Sequence, residues 1–325
     1  MAMLRPAAAV WGVLAIIGLT VQVAAQDFPT KPVVIVVPSG PGSGFDLVAR
    51  VVADPLSKQW KQPVVIENKP GGASVIGTEN VVRAAPDGQR LLIAHEGAVV
   101  INQLVYKDKL SFNPQTDLRP ISIITESPML VVVKKDSPFK TLGDLVSYAK
   151  ANPGKLNSAT GGNATLLYLE LFKRTTGTSI TQIDYADAIS TLNAVAKGEA
   201  DTTVAPYVSA SGLIQSGLIR AIAVAGTKRS PMLPDVPTTT ESGLPGYGVS
   251  TWMGLLAPRQ TADSIAKNIE AAMRTALQMP ETRERLMRLN VDIQDGSSDT
   301  LRKVVERDNA LWSRLIKEAD IHFSP

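Results

Sequence analysis

The sequence predicts an α/β protein folded as two lobes. Three observations carry that expectation: short β-branched strands run into glycine-rich loops that open helices, the same unit recurs later in the chain, and 325 residues are too many for one small core.

Residues 1–25 stand apart from the rest. Arg5 precedes the apolar run 7–20, and Val23-Ala24-Ala25 supplies small residues before Gln26, the pattern of a secretory signal peptide cleaved after Ala25. A retained anchor is the alternative, but the run is short for a spanning helix and no basic stop-transfer cluster follows it. The exported chain contains no cysteine, so it must stabilise itself through its core, which suits the bacterial periplasm and excludes a lipoprotein anchor and thiol catalysis.

Residues 33–37 are an unbroken β-branched run ending at Pro38, as expected of a parallel-sheet strand covered on both faces. The loop Ser39-Gly40-Pro41-Gly42-Ser43-Gly44 exposes backbone amides, and Phe45-Asp46 begin a helix over 45–60 with Asp46 in its first turn. Pro55 is expected to bend or divide that helix. Glycine-rich backbone delivered to a helix start is an anion site, because the first amides of a helix have no intrahelical acceptor. The anion is not phosphate: the glycines fall as G-x-G-x-G, which matches neither the dinucleotide fingerprint nor the phosphate loop. Ser43 also lacks the flanking glycines of a nucleophile elbow. A purely structural turn is the alternative reading of this stretch.

The unit then repeats. Strand 64–67 leads through Asn68-Lys69-Pro70-Gly71-Gly72-Ala73-Ser74 to a helix over 75–85, and 91–94 is a third strand. Residues 121–134 form two apolar runs broken by Glu126-Ser127-Pro128, where the chain leaves one lobe for the other. Thr141 caps a helix over 141–151, with Asp144 at the third position in place of the usual Glu. Strand 156–159 runs into Thr160-Gly161-Gly162-Asn163-Ala164-Thr165 and a helix over 166–174, so a third glycine loop opens a helix, now in the second lobe. Asp184 and Asp187 precede a helix over 188–197, and strands follow at 202–205 and 218–225. The Pro-rich stretch 230–237 carries the chain back, and strand 252–256 with helices near 261–279, 281–288 and 298–319 completes the first lobe. Glu306, Arg307 and Asp308 read as the solvated face of the last helix. The lobes are therefore 26–126 with 228–325, and 127–227.

The 44% hydrophobic and 19% charged residues are those of a soluble globular protein. Its 33 basic residues, one of them Arg5, face 30 acidic ones, a near balance that gives no reason to expect a nucleic acid or membrane surface as partner. The only imidazoles are His95 and His322, so a Ser-His-Asp triad would have to use His95 beside Glu96; a structural pair at a cleft edge is the alternative. No His/Cys/Asp/Glu cluster has metal-ligand spacing, and no cofactor is expected.

Five blocks, in order, resemble one family over nearly the whole mature length: FPTKPVVIVVPSGPGSGFDLVAR (28–50), VVIENKPGGASVIGTENVVRAAPDG (64–88), AKANPGKL (149–156), GLIRAIAVAGTKRSPMLPDVPTTTESGLPGY (217–247) and WMGLLAP (252–258). That family is the periplasmic solute receptors of tripartite tricarboxylate transporters, the Bordetella-uptake-gene type. The resemblance implies a type II periplasmic-binding fold, two α/β lobes joined by crossing strands, in which closure encloses an organic acid for delivery to membrane permease subunits by a monomeric receptor. It implies that a ligand carboxylate is held by the loop after the first strand, through Ser39, Gly40, Pro41, Gly42, Ser43, Gly44, Phe45 and Asp46, with Ala73 and Ser74 beside it. The facing loop of the second lobe supplies Thr160, Gly162, Asn163, Ala164 and Thr165, partly through water. Di- or tricarboxylates, aromatic carboxylates and acidic amino acids fit such a site.

The chain departs from the family pattern at Ser39, where an aromatic is usual, and at Leu166, where a His is common. Gln182-Ile183-Asp184-Tyr185 stands in place of His-Val-Pro-Tyr, and Ala205-Pro206 in place of an acidic or polar residue. Asp184 is either an acceptor for a ligand hydroxyl or amine or a helix-flanking carboxylate, and Tyr207 is a candidate aromatic wall. A ligand-sensing partner of a membrane sensor kinase would share this fold and site, and a hydrolase is a third reading.

Overall fold

The computed structural model describes residues 28–319; the expected signal peptide over 1–25, its cleavage point and His322 lie outside them. The strands in chain order are β1 (Val33–Val37), β2 (Val64–Asn68), β3 (Arg90–Ala94), β4 (Leu118–Lys134), β5 (Asn157–Thr160), β6 (Thr181–Asp184), β7 (Thr202–Pro206), β8 (Ile219–Val224) and β9 (Ser250–Pro258). They form a nine-stranded sheet in the order β2-β1-β3-β9-β4-β7-β5-β6, with β8 also paired to β4. β1 lies parallel between β2 and β3, the position an all-apolar strand requires.

The break expected at 126–128 does not occur. β4 is one 17-residue strand that keeps its direction and changes partners: residues 118–128 pair antiparallel with β9, and from Met129 onward with β7 and β8. Pro128 sits at the exchange of partners, where a missing N–H costs the ladder least.

Side chains alternate across a strand, so the core assignments reveal how the two faces are covered. Val33, Ile35 and Val37 of β1, Leu91 and Ile93 of β3, and Ile121 and Ile124 of β4 belong to a first-lobe core. Leu130 and Val132 of β4 and Ala205 of β7 belong to a separate second-lobe core on that same face. The opposite face is different: Val36, Leu92, Ile123, Met129, Val131, Val133 and Val204 share a single core that runs the length of the sheet. The lobes are thus joined on one face and divided on the other.

Helices Gly44–Trp60, Asp263–Gln278 and Pro280–Arg288 cover the first lobe on the divided face, and Ala188–Lys197 and Tyr207–Gln215 cover the second. Asn163–Thr176 and the last helix, Ser298–Ala319, lie on the continuous face, where Trp312 packs 5.5 Å from Tyr168. Helix Gly44–Trp60 passes undivided through Pro55, because Val51, Val52 and Leu56 on the adjoining turns are buried and hold it in place. The helix expected over 75–85 ends at Val82 after a short turn at Gly72–Ser74, and the one expected from 166 starts at Asn163. Asn163, Ala164 and Thr165 are therefore first-turn residues and not loop. Three segments without an expected element are helical: Tyr207–Gln215, Gly97–Ile101 continuing into Asn102–Tyr106, and the short Pro114–Asp117. Among the described residues no helix is long and apolar enough to cross a membrane.

Candidate functional site

The carboxyl ends of β1, β2 and β3 in one lobe face those of β5, β6 and β7 in the other, where an α/β sheet usually places a ligand. On the first-lobe side, Ser43 caps helix Gly44–Trp60 by accepting the Asp46 amide (3.3 Å), and its hydroxyl lies 2.6 Å from that of Ser39. One of these two hydroxyls donates to the other, so the pair keeps one proton to offer. The amides of Gly44 and Phe45 have no hydrogen-bond acceptor among the described residues. Pro41 and Gly42 are exposed at the tip, and Gly40 is half-buried.

Asp46 does not offer its carboxylate to a ligand. Oδ2 accepts Gly42 N–H (2.8 Å) and Arg50 Nε (3.0 Å), while Oδ1 accepts Asn68 Nδ2 (3.0 Å), which also donates to Ser39 O (3.1 Å). Burial opposes its ionisation, but the bonds from Arg50, Gly42 and Asn68 outweigh burial and hold the carboxyl below the ordinary range. Asp46 is the peg on which the loop is hung, and an anion beside it would be repelled.

The neighbouring loop is held in an uncommon backbone conformation. Gly71, Gly72, Ala73 and Ser74 all have positive φ (119°, 55°, 50° and 79°), which costs a non-glycine residue about 1–2 kcal/mol. Asn102 Nδ2 donates to Ala73 O (2.7 Å), Thr78 Oγ1 to Ser74 O (2.8 Å), and Ser74 Oγ to Pro38 O (3.2 Å). The same Ser74 oxygen lies 3.1 Å from His95 Nε2, and His95 Nδ1 accepts Gly97 N–H (3.1 Å). A neutral His95 therefore carries its proton on Nε2 and donates to Ser74, the reverse of what a nucleophilic serine needs. Burial lowers the His95 pKa to about 4, and its ring stacks on Phe45 at 4.5 Å.

On the second-lobe side several expected donors are already spent on local structure. Thr160 is buried and donates to Asp184 Oδ1 (2.7 Å), which also accepts Gln182 Nε2 (2.6 Å). Thr165 Oγ1 accepts Gly161 N–H (2.7 Å) and donates to Gly162 O (2.9 Å), so neither threonine has a proton left for an anion. The backbone remains available. Helix Asn163–Thr176 begins on Gly162 and helix Tyr207–Gln215 on Pro206, each without a side-chain cap. Gly162 has φ 107°, a conformation that only glycine adopts readily. Asn163 Nδ2 donates across the lobes to Tyr106 Oη (3.1 Å). Tyr207 is not an open aromatic wall: it is buried in the second-lobe core, and the residue beside it, Val208, reaches the first lobe at Gly44. Tyr106 and Val208 both lie on helices without an amphipathic signature, which is why the sequence does not single them out.

Beneath the cleft a buried polar network ties the lobes together. Glu96 accepts Tyr168 Oη (2.8 Å), Thr251 Oγ1 (3.1 Å) and Trp252 N–H (3.3 Å). Trp252 Nε1 donates to Asp308 (2.8 Å), which is also held by Arg307, and Arg307 reaches Glu126 on β4 (2.7 Å). Glu306 and Arg307 are exposed as expected of a solvated face, but Asp308 is buried, which corrects the expectation for that residue; the helix brings it against a partner 56 residues away.

This network gives a pH dependence with a definite sign. Burial pushes Asp308 up to about 6 against the opposing pull of Arg307, so its contribution is present below pH 3.8 and lost as pH rises through about 6. His95 behaves oppositely: its pKa falls from 6.5 to about 4, so its contribution is present above pH 6.5 and lost as pH falls through about 4. The two oppose each other between about pH 4 and about pH 6. In urea unfolding, Asp308→Asn is expected to lose stability more steeply on acidification than wild type, and His95→Gln to lose it less steeply; parallel curves would refute the assignment.

Residues 48–321 match the receptor of the tripartite tricarboxylate transporter family. The chain is 29% identical over 308 residues to the Bordetella pertussis protein BugT, covering 94% of each. A Rhodopseudomonas palustris protein solved with adipate matches with a TM-score of 0.82 at 32% identity, over 91% of this chain and 99% of that one. MatC from Rhodopseudomonas palustris, solved with bound malate, matches with a TM-score of 0.78 at 31% identity, over 89% of this chain and 100% of that one. The two-lobed periplasmic-binding fold expected from the sequence is the fold these comparisons give.

Proposed function

We propose that this chain, which belongs to the tripartite tricarboxylate transporter receptor family, is a periplasmic solute-binding receptor that captures a small organic carboxylate between its lobes and delivers it to membrane permease subunits. The observation that carries the reading is the meeting of helix starts from both lobes, at Gly44, Asn163 and Tyr207, in loops that contain no Lys or Arg. Unsatisfied amides at helix starts bind a carboxylate without an ion pair. Hydrogen bonds to a charged group contribute about 1.5–3 kcal/mol each. Three or four of them, less the ordering cost, correspond to a dissociation constant on the order of micromolar.

The ligand classes are those suggested by chemistry and by the malate and adipate bound to the relatives: di- and tricarboxylates first, then aromatic carboxylates and acidic amino acids. The lobes are residues 26–126 with 228–325, and 127–227, the chain working as a monomer after cleavage behind Ala25. Gly40, Ser39, Ser43 and the Gly44 and Phe45 amides hold the carboxylate from one side, and Asn163 and Ala164 from the other. Asp46, Ser74, Thr160 and Thr165 shape those loops. The Ser74–His95 pair does no chemistry, because both of its protons are committed away from a reacting atom.

A thermal-shift screen tests the reading. A ligand at a hundred times its dissociation constant stabilises by about 2.7 kcal/mol, which raises the melting temperature by several degrees. Stabilisation by a carboxylate and not by its amide or neutral ester is the expected result. No shift with any C4–C8 dicarboxylate, aromatic carboxylate or acidic amino acid would count against it.

A further inference from the structure

We propose that Val208 closes the cleft over the first-lobe helix start and sets the carbon-chain length of the ligand, an inference that rests on the carboxylate reading above. On the divided face of the sheet the two lobes have separate cores, and Val208 is where they meet. Its helix is seated in the second-lobe core through Tyr207 and Ala210, yet the Val208 side chain packs against the first-lobe core. A methyl group placed on Gly44 would lie 3.7 and 3.8 Å from the two Val208 methyls, ordinary van der Waals contact. Between Gly44 and Val208 there is accordingly room for one methyl-sized group and none for a ligand chain.

A carboxylate seated on the Gly44 and Phe45 amides therefore cannot extend between Gly44 and Val208, and the Val208 methyls bound the space left for its chain on that side. The other wall does not yield: Phe45 is stacked on His95, and His95 is fixed at both ring nitrogens by Gly97 and Ser74. Val208 is the adjustable side, and as a β-branched residue on a helix it has essentially one rotamer, which makes it a firm stop. A site that differs by one methylene discriminates by about 10–200-fold.

The test is calorimetric titration of wild type, Val208→Ala and Val208→Leu with linear dicarboxylates from succinate to suberate, with circular dichroism melts to verify that each variant is folded. Val208 is half-buried, so loss of two methyls leaves the fold intact. Val208→Ala is expected to move the preferred length up by one or two carbons, changing the long-to-short affinity ratio about tenfold or more, and Val208→Leu to move it down. A wild type that binds members of the series with a ratio unchanged in both variants overturns this inference alone. A wild type that binds none of them overturns the carboxylate reading and this inference with it.

Discussion

Replacing Glu96 with Ala is expected to lower the unfolding free energy by about 3 kcal/mol or more. The carboxylate accepts three buried donors, from Tyr168 on a second-lobe helix and from Thr251 and Trp252 on the returning strand β9. Removing it strands all three, and each buried donor without an acceptor costs about 1–3 kcal/mol. Part of that loss is returned, because burial already pushes the Glu96 pKa up and the mutation removes a costly buried anion. Glu96→Gln keeps one acceptor oxygen and should cost less than half as much. Urea unfolding of the two variants decides the point: equal stability would mean that the donors find other partners and that the network does not tie the lobes.

The second large effect is expected at Gly77, where the cause is backbone packing and not charge. A Cβ there would lie 2.8 Å from Pro38 Cβ, 2.9 Å from Pro38 Cα and 2.9 Å from Lys69 O, so helix Val75–Val82 rests directly on the backbone of both first-lobe loops. Gly77→Ala must push that helix away from Pro38, disturbing the strained Ala73–Ser74 turn and the Ser74 bond that holds it. The cost is about 1–3 kcal/mol of stability, and the loops that carry the binding amides move with the helix. We expect at least a tenfold loss of affinity for whichever carboxylate gives the largest thermal shift. Gly143→Ala is the matched control: a Cβ there meets only Thr141 Oγ1 at 3.6 Å, and alanine is the better helix former. If the two substitutions behave alike, close backbone packing at Gly77 does not shape the site.

These two effects also mark what a sequence can and cannot disclose. The strand–loop–helix units at β1, β2 and β5 were legible because they are local: an apolar run, a glycine loop and a periodic helix are all written within about thirty residues. The Thr141–Asp144 capping box was legible for the same reason, and both of its bonds form. Helix Tyr207–Gln215 was not, since it starts on a proline with no capping side chain and includes Gly212. Residues 97–102 are buried on every side and carry no period to read, and the half-buried 103–106 are too few to show one. Asp308 looked like one more charge on a polar helix face until folding brought Trp252 to it.

The site was half legible, and the missing half has a common cause. Thr160, Thr165 and Asp46 are the residue types that bind ligands, but their short side chains reach nearby polar groups first. Backbone amides at helix starts leave almost no trace in residue identity beyond the glycines around them. Val208, which brings the lobes into contact, is in sequence only another valine.

The most direct measurement is a crystal structure of the mature protein with the carboxylate that stabilises it most. We expect a ligand carboxylate oxygen about 2.7–3.1 Å from the Gly44 or Phe45 amide nitrogen, with the start of the Asn163–Thr176 helix facing it and no Lys or Arg side chain in contact. A carboxylate bound instead to a lysine or arginine, or lodged outside the space between Gly44, Asn163 and Val208, would contradict this expectation.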